Sequence, residues 1–570
     1  MRVMPARMRR VAASNKLFTA AIVAAILIRL CAELGYRWWA YFNDSFSYIS
    51  TAVTGTLDPV RVSGYSLFLR ALLPLHSFAV VTVLQHLMGL AVGVLCYALA
   101  RRRFGTPAWI AAALTFPVLF DGFEIQLEHL LLSDTLFLFL MALAVVVLLW
   151  APRPGWIRCA LAGLLLGASA TVRSTGLPLI AVFAAYLIII GFPKLRDGRG
   201  WLRVIASVAA CCVAFALPAA GYEAMYKQQH GEFAMNSSTG VFLYSRVMTF
   251  ADCSRMTLSP ELLSLCTTVP PARRPISQAY IWTPVSPLDR FPPTKFDALP
   301  NSLAQRFAIK AIEAQPLDYA RAVFDDTWRA FAWPRSVFPN AATYDEYLFG
   351  YHSLDVPDSR THGYRSSAAD YVRGDPLTRV VEPFAKVMRV YQRYVWLPGT
   401  VYGLILVAGL VALGWRWRRG GRDALLPWAT SLALIVIPAA TAEFDYRYVT
   451  TAVPFACLAL AIALGRGQRV QVPGAQVPGD DEGPAGGVAV DAAADRAEAA
   501  GTESVADASG RVSPGTVSPG AVSPGAVPPG RARGEAGGPP SLPRRVPGSG
   551  LSGGKANAGH HHGDLTADAT

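Results

Sequence analysis

The sequence predicts an all-α polytopic membrane protein: about ten transmembrane helices, a mainly helical or mixed extracytoplasmic domain, and a disordered cytoplasmic tail. Three observations carry that expectation. The 570-residue chain is 53% hydrophobic but only 16% charged, against about 25% charged residues in an ordinary globular domain. Apolar runs close to the length that crosses a bilayer recur along it. Its basic residues gather in alternate loops, as the positive-inside rule requires.

The ten runs fall at 17–35, 78–100, 107–121, 129–150, 159–173, 176–192, 204–221, 396–414, 424–441 and 447–465. The basic clusters are Arg2, Arg7, Arg9, Arg10 and Lys16, then Arg101, Arg102 and Arg103, then Arg153 and Arg158. Further clusters are Lys194, Arg196, Arg199 and Arg203, and finally Arg416, Arg418, Arg419 and Arg422. Ten alternating helices put every cluster on one side, so both termini are expected in the cytoplasm. The first run reads as a retained helix, because it is long and lacks a small-residue cleavage site. The YRWWAYF cluster behind it has the composition of an interfacial aromatic belt. The formal charge of +13 lies largely in the cytoplasmic loops, where it meets anionic lipid. No basic soluble module accompanies it, which argues against nucleic acid as a partner.

The chain therefore divides into a cytoplasmic N-terminus at 1–16, membrane helices one to seven at 17–221, an extracytoplasmic domain at 222–395, helices eight to ten at 396–465, and a tail at 466–570. The external stretch has globular composition, with a helical pattern at 309–333, IKAIEAQPLDYARAVFDDTWRAFAW. The tail is rich in Pro, Gly, Ala and Ser, repeats VSPGTVSPGAVSPGAVPPG at 512–530, and cannot bury enough apolar surface to order itself. Its His560, His561 and His562 read as an incidental run. Six cysteines (Cys31, Cys96, Cys159, Cys211, Cys212 and Cys457) fall in apolar helices and behave as small apolar residues. Cys253 and Cys266 lie outside, where an oxidising compartment favours a disulfide over two buried thiols. No further ligands surround them, so zinc is not expected there.

Charge beside hydrocarbon is expensive, so polar residues in the short external loops are informative. Asp44 stands in YFNDSFSYIS, just past the first helix. Arg61 opens RVSGYSLFLRALLPL, 61–75, which reads as an amphipathic segment on the outer membrane surface. In DGFEIQLEHLLLSDTLF, 121–137, Glu124 and Glu128 share a helical face, His129 follows, and Asp134 enters the next hydrophobic run. Arg173 lies in TVRSTG, and Glu443, Asp445 and Arg447 lie in EFDYRYVTTAVP. Arg29 and Glu33, four apart on the first helix, are expected to pair with each other.

Topology does not account for arginines on the outer face, and a guanidinium fork suits phosphate. Salt bridges to the neighbouring acids are the alternative account, and the phosphate reading is preferred. The phosphate reading makes Asp44 and Glu128 the candidate catalytic carboxylates, with Asp44 as general base. Arg61, Arg173 and Arg447 would hold a phosphate, and Glu124, His129, Asp134 and Tyr446 would support them. Asp44 with Glu128 or His129 could also bind one divalent cation.

The order and depth of DSFSYIS, LEHLLLSDTLF, RSTGLPLI and YRYVTTAVPFACLALAI resemble the GT-C membrane glycosyltransferases over roughly residues 15–465. The likeness is to the polyprenyl-phosphate-sugar-dependent enzymes related to protein O-mannosyltransferases and the aminoarabinose transferase of lipid A. It implies transfer of a hexosyl or pentosyl group from a polyprenyl-phosphate sugar donor to a glycan, lipid or protein acceptor. The family's first-loop base maps onto Asp44, and its carrier-phosphate contacts onto Arg173 and Arg447. This chain departs from the family pattern in having Ser45 rather than a second carboxylate after Asp44, and in its long external insertion. Its Ala-, Gly- and Arg-rich usage points to a bacterium and a decaprenyl or undecaprenyl carrier. The competing readings are a transporter or lipid flippase, and a non-enzymatic anchor that binds a cell-wall partner. Transporters carry midplane sites and paired repeats, whereas here the polar residues concentrate at one face and no repeat is apparent.

Overall fold

The computed structural model describes residues 15–37, 39–191, 200–291, 294–352, 363–419 and 421–466. The expected disordered tail, with its three histidines, lies outside the described residues, apart from Arg466. So do the basic residues Arg2, Arg7, Arg9 and Arg10, and Lys194, Arg196 and Arg199.

The described chain is a polytopic all-α protein; its one sheet is a two-residue pairing of Tyr36–Arg37 with Arg379–Val380. Every one of the ten apolar segments contains a helix. Six are long and apolar enough to cross a membrane: Lys16–Gly35, Phe78–Phe104, Ser174–Gly191, Gly200–His230, Gly421–Thr441 and Tyr446–Ala463. The number rises to eight if two bent pairs each count as one span. These are Ala108–Phe120 with Gly122–His129, bent by 49°, and Phe384–Tyr394 with Gly399–Trp415, bent by 53°. Asp134–Leu149 and Trp156–Val172 have only 16 and 17 residues, short of the roughly 20 that a span needs. Helix 129–150 is thereby corrected: His129 ends one helix, and the next starts at Asp134 after a break.

The sidedness of the first helix explains how charge is carried inside. Val23, Ile26, Leu27 and Leu30 are exposed, as lipid-facing residues are. Ala25, Arg29, Ala32 and Glu33 repeat at helical spacing on the buried side. Arg29 does not pair with Glu33, as the four-residue spacing predicts, but with Glu128, through Nε and Nη2 at 2.6 Å each. A fork-to-fork pair from another helix satisfies both carboxylate oxygens, which a neighbour on the same helix does poorly.

Small residues set the helix packing elsewhere. Gly163 and Gly167 bring Trp156–Val172 against the backbone of Gly200–His230; a Cβ there would meet the Cys211 and Phe215 carbonyl oxygens at 2.1 and 2.2 Å. That is the small-residue, four-apart pattern that lets membrane helices approach closely. Gly200–His230 runs unbroken for 31 residues, past the expected domain boundary at 222. Beyond it, Tyr244, Phe307, Leu303 and Leu265 build a separate apolar cluster, with Cys253 and Cys266 joined in a disulfide beside it. The helical pattern at 309–333 is two helices, Ala298–Ala314 and Pro316–Arg329, because Gln315 leaves the helical conformation (φ −137°, ψ 55°) and Pro316, its φ already set for a first turn, starts the second.

Candidate active site

Asp44 sits in the first turn of a short helix, Asn43–Thr54. There its negative charge faces the positive end of the helix dipole. The Ser45 hydroxyl accepts from the Phe42 N–H at 2.8 Å, closing the helix start. Gly55 ends the helix in a left-handed conformation, φ 81°, that glycine adopts without strain.

Two arginines from distant segments close on this carboxylate. Arg61 donates from Nε at 3.0 Å and Nη2 at 2.6 Å to Oδ1. Arg447 donates from Nη1 at 2.8 Å to Oδ2. Arg61 is aimed by its own loop, where Asp58 Oδ1 accepts from the Val60 and Arg61 N–H groups at 2.6 and 3.2 Å. The helix Gly64–Leu72 that follows packs with Gly64 directly on the Thr171 carbonyl; a Cβ would meet that oxygen at 2.4 Å. Arg447 lies in the first turn of Tyr446–Ala463, where the dipole disfavours a cation. Asp44 and Asp445, the latter 3.1 Å from Arg447 Nε, supply the compensating charge. Burial alone would lift the Asp44 carboxyl, but the guanidiniums of Arg61 and Arg447 outweigh it and hold the group well below the usual carboxylate range. Asp44 stands at the surface of this site as a paired carboxylate with 13% of its side chain exposed.

Arg173 joins the same neighbourhood through Tyr448, whose ring lies 5.3 Å from the Arg173 guanidinium and 5.7 Å from that of Arg447. Its Nη1 donates to Asp134 Oδ2 at 2.6 Å and lies 3.4 Å from the Ser133 hydroxyl. The Ser133 hydroxyl in turn shares a hydrogen bond with Tyr48. Each of the three outer arginines therefore has an acid partner, the salt-bridge alternative to phosphate contact.

Several neighbours were not legible from the sequence. Glu346 accepts from the Asn43 N–H at 2.9 Å and from the Asn43 side-chain amide. Burial pushes the Glu346 carboxyl up to about 7, against the hydrogen bond from Asn43. Tyr347 donates to Asp445, and Trp282 lies under the Arg61 guanidinium at 5.3 Å. These three stand more than 200 residues from Asp44 in the chain, so no local spacing announces them.

Other predicted site residues fall elsewhere. Glu128 and His129 do not share a cation site with Asp44: Glu128 binds Arg29 and His86, and His129 binds the Tyr36 carbonyl with its other nitrogen 3.3 Å from His86 Nε2. Glu124 is buried on the same helix as Glu128, with Oε2 lacking a hydrogen-bond partner. The Tyr446 hydroxyl donates to the Ser336 carbonyl at 2.8 Å.

No family model and no curated protein matches the chain. Among solved structures, the Saccharomyces cerevisiae protein O-mannosyltransferase Pmt1–Pmt2 complex bound to the sugar donor is similar over 47% of this chain and 38% of that one, at 14% identity and a TM-score of 0.33. The match thus spans well under two thirds of the yeast chain. ArnT from Cupriavidus metallidurans bound to undecaprenyl phosphate is similar over 80% of this chain and 78% of that one, with 14% identity and a TM-score of 0.31. Its apo state matches over 79% and 77%, with a TM-score of 0.29.

Proposed function

We propose that this chain is an integral membrane glycosyltransferase that moves a sugar from a polyprenyl-phosphate carrier to an acceptor hydroxyl at the extracytoplasmic face. The observation that supports it is the clamping of one part-buried carboxylate, Asp44, between two arginines, with a third arginine sharing the Tyr448 ring. A base beside cations is what displacement of a phosphate leaving group needs.

In this reading the donor phosphate draws Arg61, Arg173 and Arg447 toward itself. Asp44 then loses part of the positive charge that depresses its proton affinity, and becomes a better base once donor is bound. The acceptor hydroxyl gives its proton to Asp44 as its oxygen bonds the anomeric carbon. The bond from that carbon to the phosphate oxygen breaks, and the carrier leaves as a phosphate whose added charge the guanidiniums hold.

The test compares membranes holding wild type with membranes holding Asp44→Asn at matched protein, supplied with labelled polyprenyl-phosphate sugars. Wild-type transfer that Asp44→Asn lacks supports the reading. Equal transfer by both removes Asp44 from the role of base, and equal loss of folded protein in Asp44→Asn and Arg447→Ala would sink both assignments.

A further inference from the structure

A second polar cluster lies inside the helices, built on residues that the proposed reaction does not use. Glu33, His86 and His129 come from three separate helices and all are buried. Neither carboxylate oxygen of Glu33 has a hydrogen-bond partner, although the residue is only 7% exposed. Thr82 is the polar neighbour that interacts with Glu33, and its hydroxyl also donates to the Ala79 carbonyl at 3.1 Å.

The outer partners fix how the two rings are protonated. His129 Nε2 lies 2.8 Å from the Tyr36 carbonyl, which can only accept, so that nitrogen carries the hydrogen and Nδ1 presents a lone pair. His86 Nδ1 lies 2.8 Å from Glu128 Oε2, a carboxylate oxygen already bound by Arg29. It donates there, leaving the lone pair on Nε2. The two lone-pair nitrogens are 3.3 Å apart, and Glu33 Oε1 lies 3.7 Å from one and 3.9 Å from the other. Three acceptors thus converge with no donor among them. A triangle with those edges has a centre about 2.1 Å from each corner, the bond length of zinc to imidazole nitrogen and carboxylate oxygen.

We propose that Glu33, His86 and His129 form a buried binding site for a zinc-like divalent cation. Two imidazoles and one carboxylate suit zinc or a neighbouring transition metal, and not magnesium or calcium, which take oxygen ligands. The carboxylate behind His86 and the carbonyl behind His129 are the outer partners that metal-bound histidines use to fix their orientation. The cation joins three helices and holds the segment that leads to Asp44. The Ala40 N–H donates to the His129 carbonyl at 3.2 Å, and the Leu131 N–H donates to the Ala40 carbonyl at 3.0 Å. This inference does not depend on the transferase reading.

The test uses full-length protein in detergent, with His560, His561 and His562 replaced by alanine so that the tail contributes no metal. Zinc is counted per chain by mass spectrometry, and the chelator-stripped protein is titrated with Co2+ and read by its visible absorption. About one zinc per chain is expected, together with the intense bands of low-coordinate Co2+. Zinc should fall at least tenfold in Glu33→Gln and His86→Gln, and stay unchanged in Asp44→Asn. A folded, stripped protein that takes up no Co2+ overturns the proposal, leaving a proton-sharing histidine pair. Retention of full metal in a folded Glu33→Gln, His86→Gln double variant overturns it too. If neither variant folds, Co2+ uptake by the tail variant decides alone.

Discussion

Asp44 shows why a carboxylate can sit at a helix exit without being merely a solvated cap. Its first-turn position stabilises the charge, and Arg61 and Arg447 then bind both oxygens. Replacing Asp44 with asparagine should lower turnover about 10²–10⁴-fold, the usual contribution of a general base. Arg447→Lys keeps the charge but loses the fork, so the donor KM should rise about tenfold or more, with kcat less affected. Glu346 gives a pH test. Its carboxyl is raised to about 7, so it is neutral below that pH and charged above it. If Arg447 holds the donor phosphate as proposed, the new negative charge beside it should raise donor KM as pH climbs through about 7, and Glu346→Gln should flatten that rise. A wild-type KM constant from pH 6 to 8 would exclude the effect. Asp44, Arg173 and Arg447 could be found from sequence because each breaks a local rule about charge near a membrane. Glu346 breaks no such rule, and its role is visible only once the chain folds back.

At the scale of elements, close backbone approach places the site more than side-chain polarity does. Gly64 seats the helix behind Arg61 on the Thr171 carbonyl, and any Cβ forces the two apart. Gly64→Ala should therefore cost about 1–3 kcal/mol, the usual overpacking penalty, and should also lower transfer because Arg61 shifts. Thermal unfolding in detergent, read beside activity, separates the two effects. The disulfide between Cys253 and Cys266 closes a loop with a sequence separation of 13. Its removal in Cys253→Ser should cost about 2–4 kcal/mol locally, seen as faster proteolysis around residues 240–310. The amphipathic reading of 61–75 corresponds to a helix, Gly64–Leu72, and a short turn, Leu73–Leu75. The expected single helix at 129–150 fails because Leu130–Leu132 is as apolar as the helix beyond it but leaves the helical path at Leu130, which is extended (φ −76°, ψ 143°), a break that apolar run length cannot register.

At the scale of the whole molecule, the apolar runs and basic loops predict an orientation with both termini in the cytoplasm. A reporter fused after residue 466 should be active only in its cytoplasmic form, and a cysteine label placed at exposed Ser302 should react from outside intact cells. Reaction of that label only after permeabilisation would invert the topology. The sequence by itself determined the class of protein, the apolar segments that hold helices, and which residues carry charge against hydrocarbon. Those properties depend on run length and on neighbours a few positions apart, and bilayer thickness converts them directly into structure. Only the tertiary structure decided which charges meet. Arg29 turned from Glu33 to Glu128, and Asp44 joined Arg61 and Arg447 rather than Glu128 or His129. Glu33, His86 and His129, spread over almost a hundred residues, converged on one point. Without water a buried charge is costly unless it is paired, and its partner is set by where whole helices pack, which no short stretch of sequence encodes.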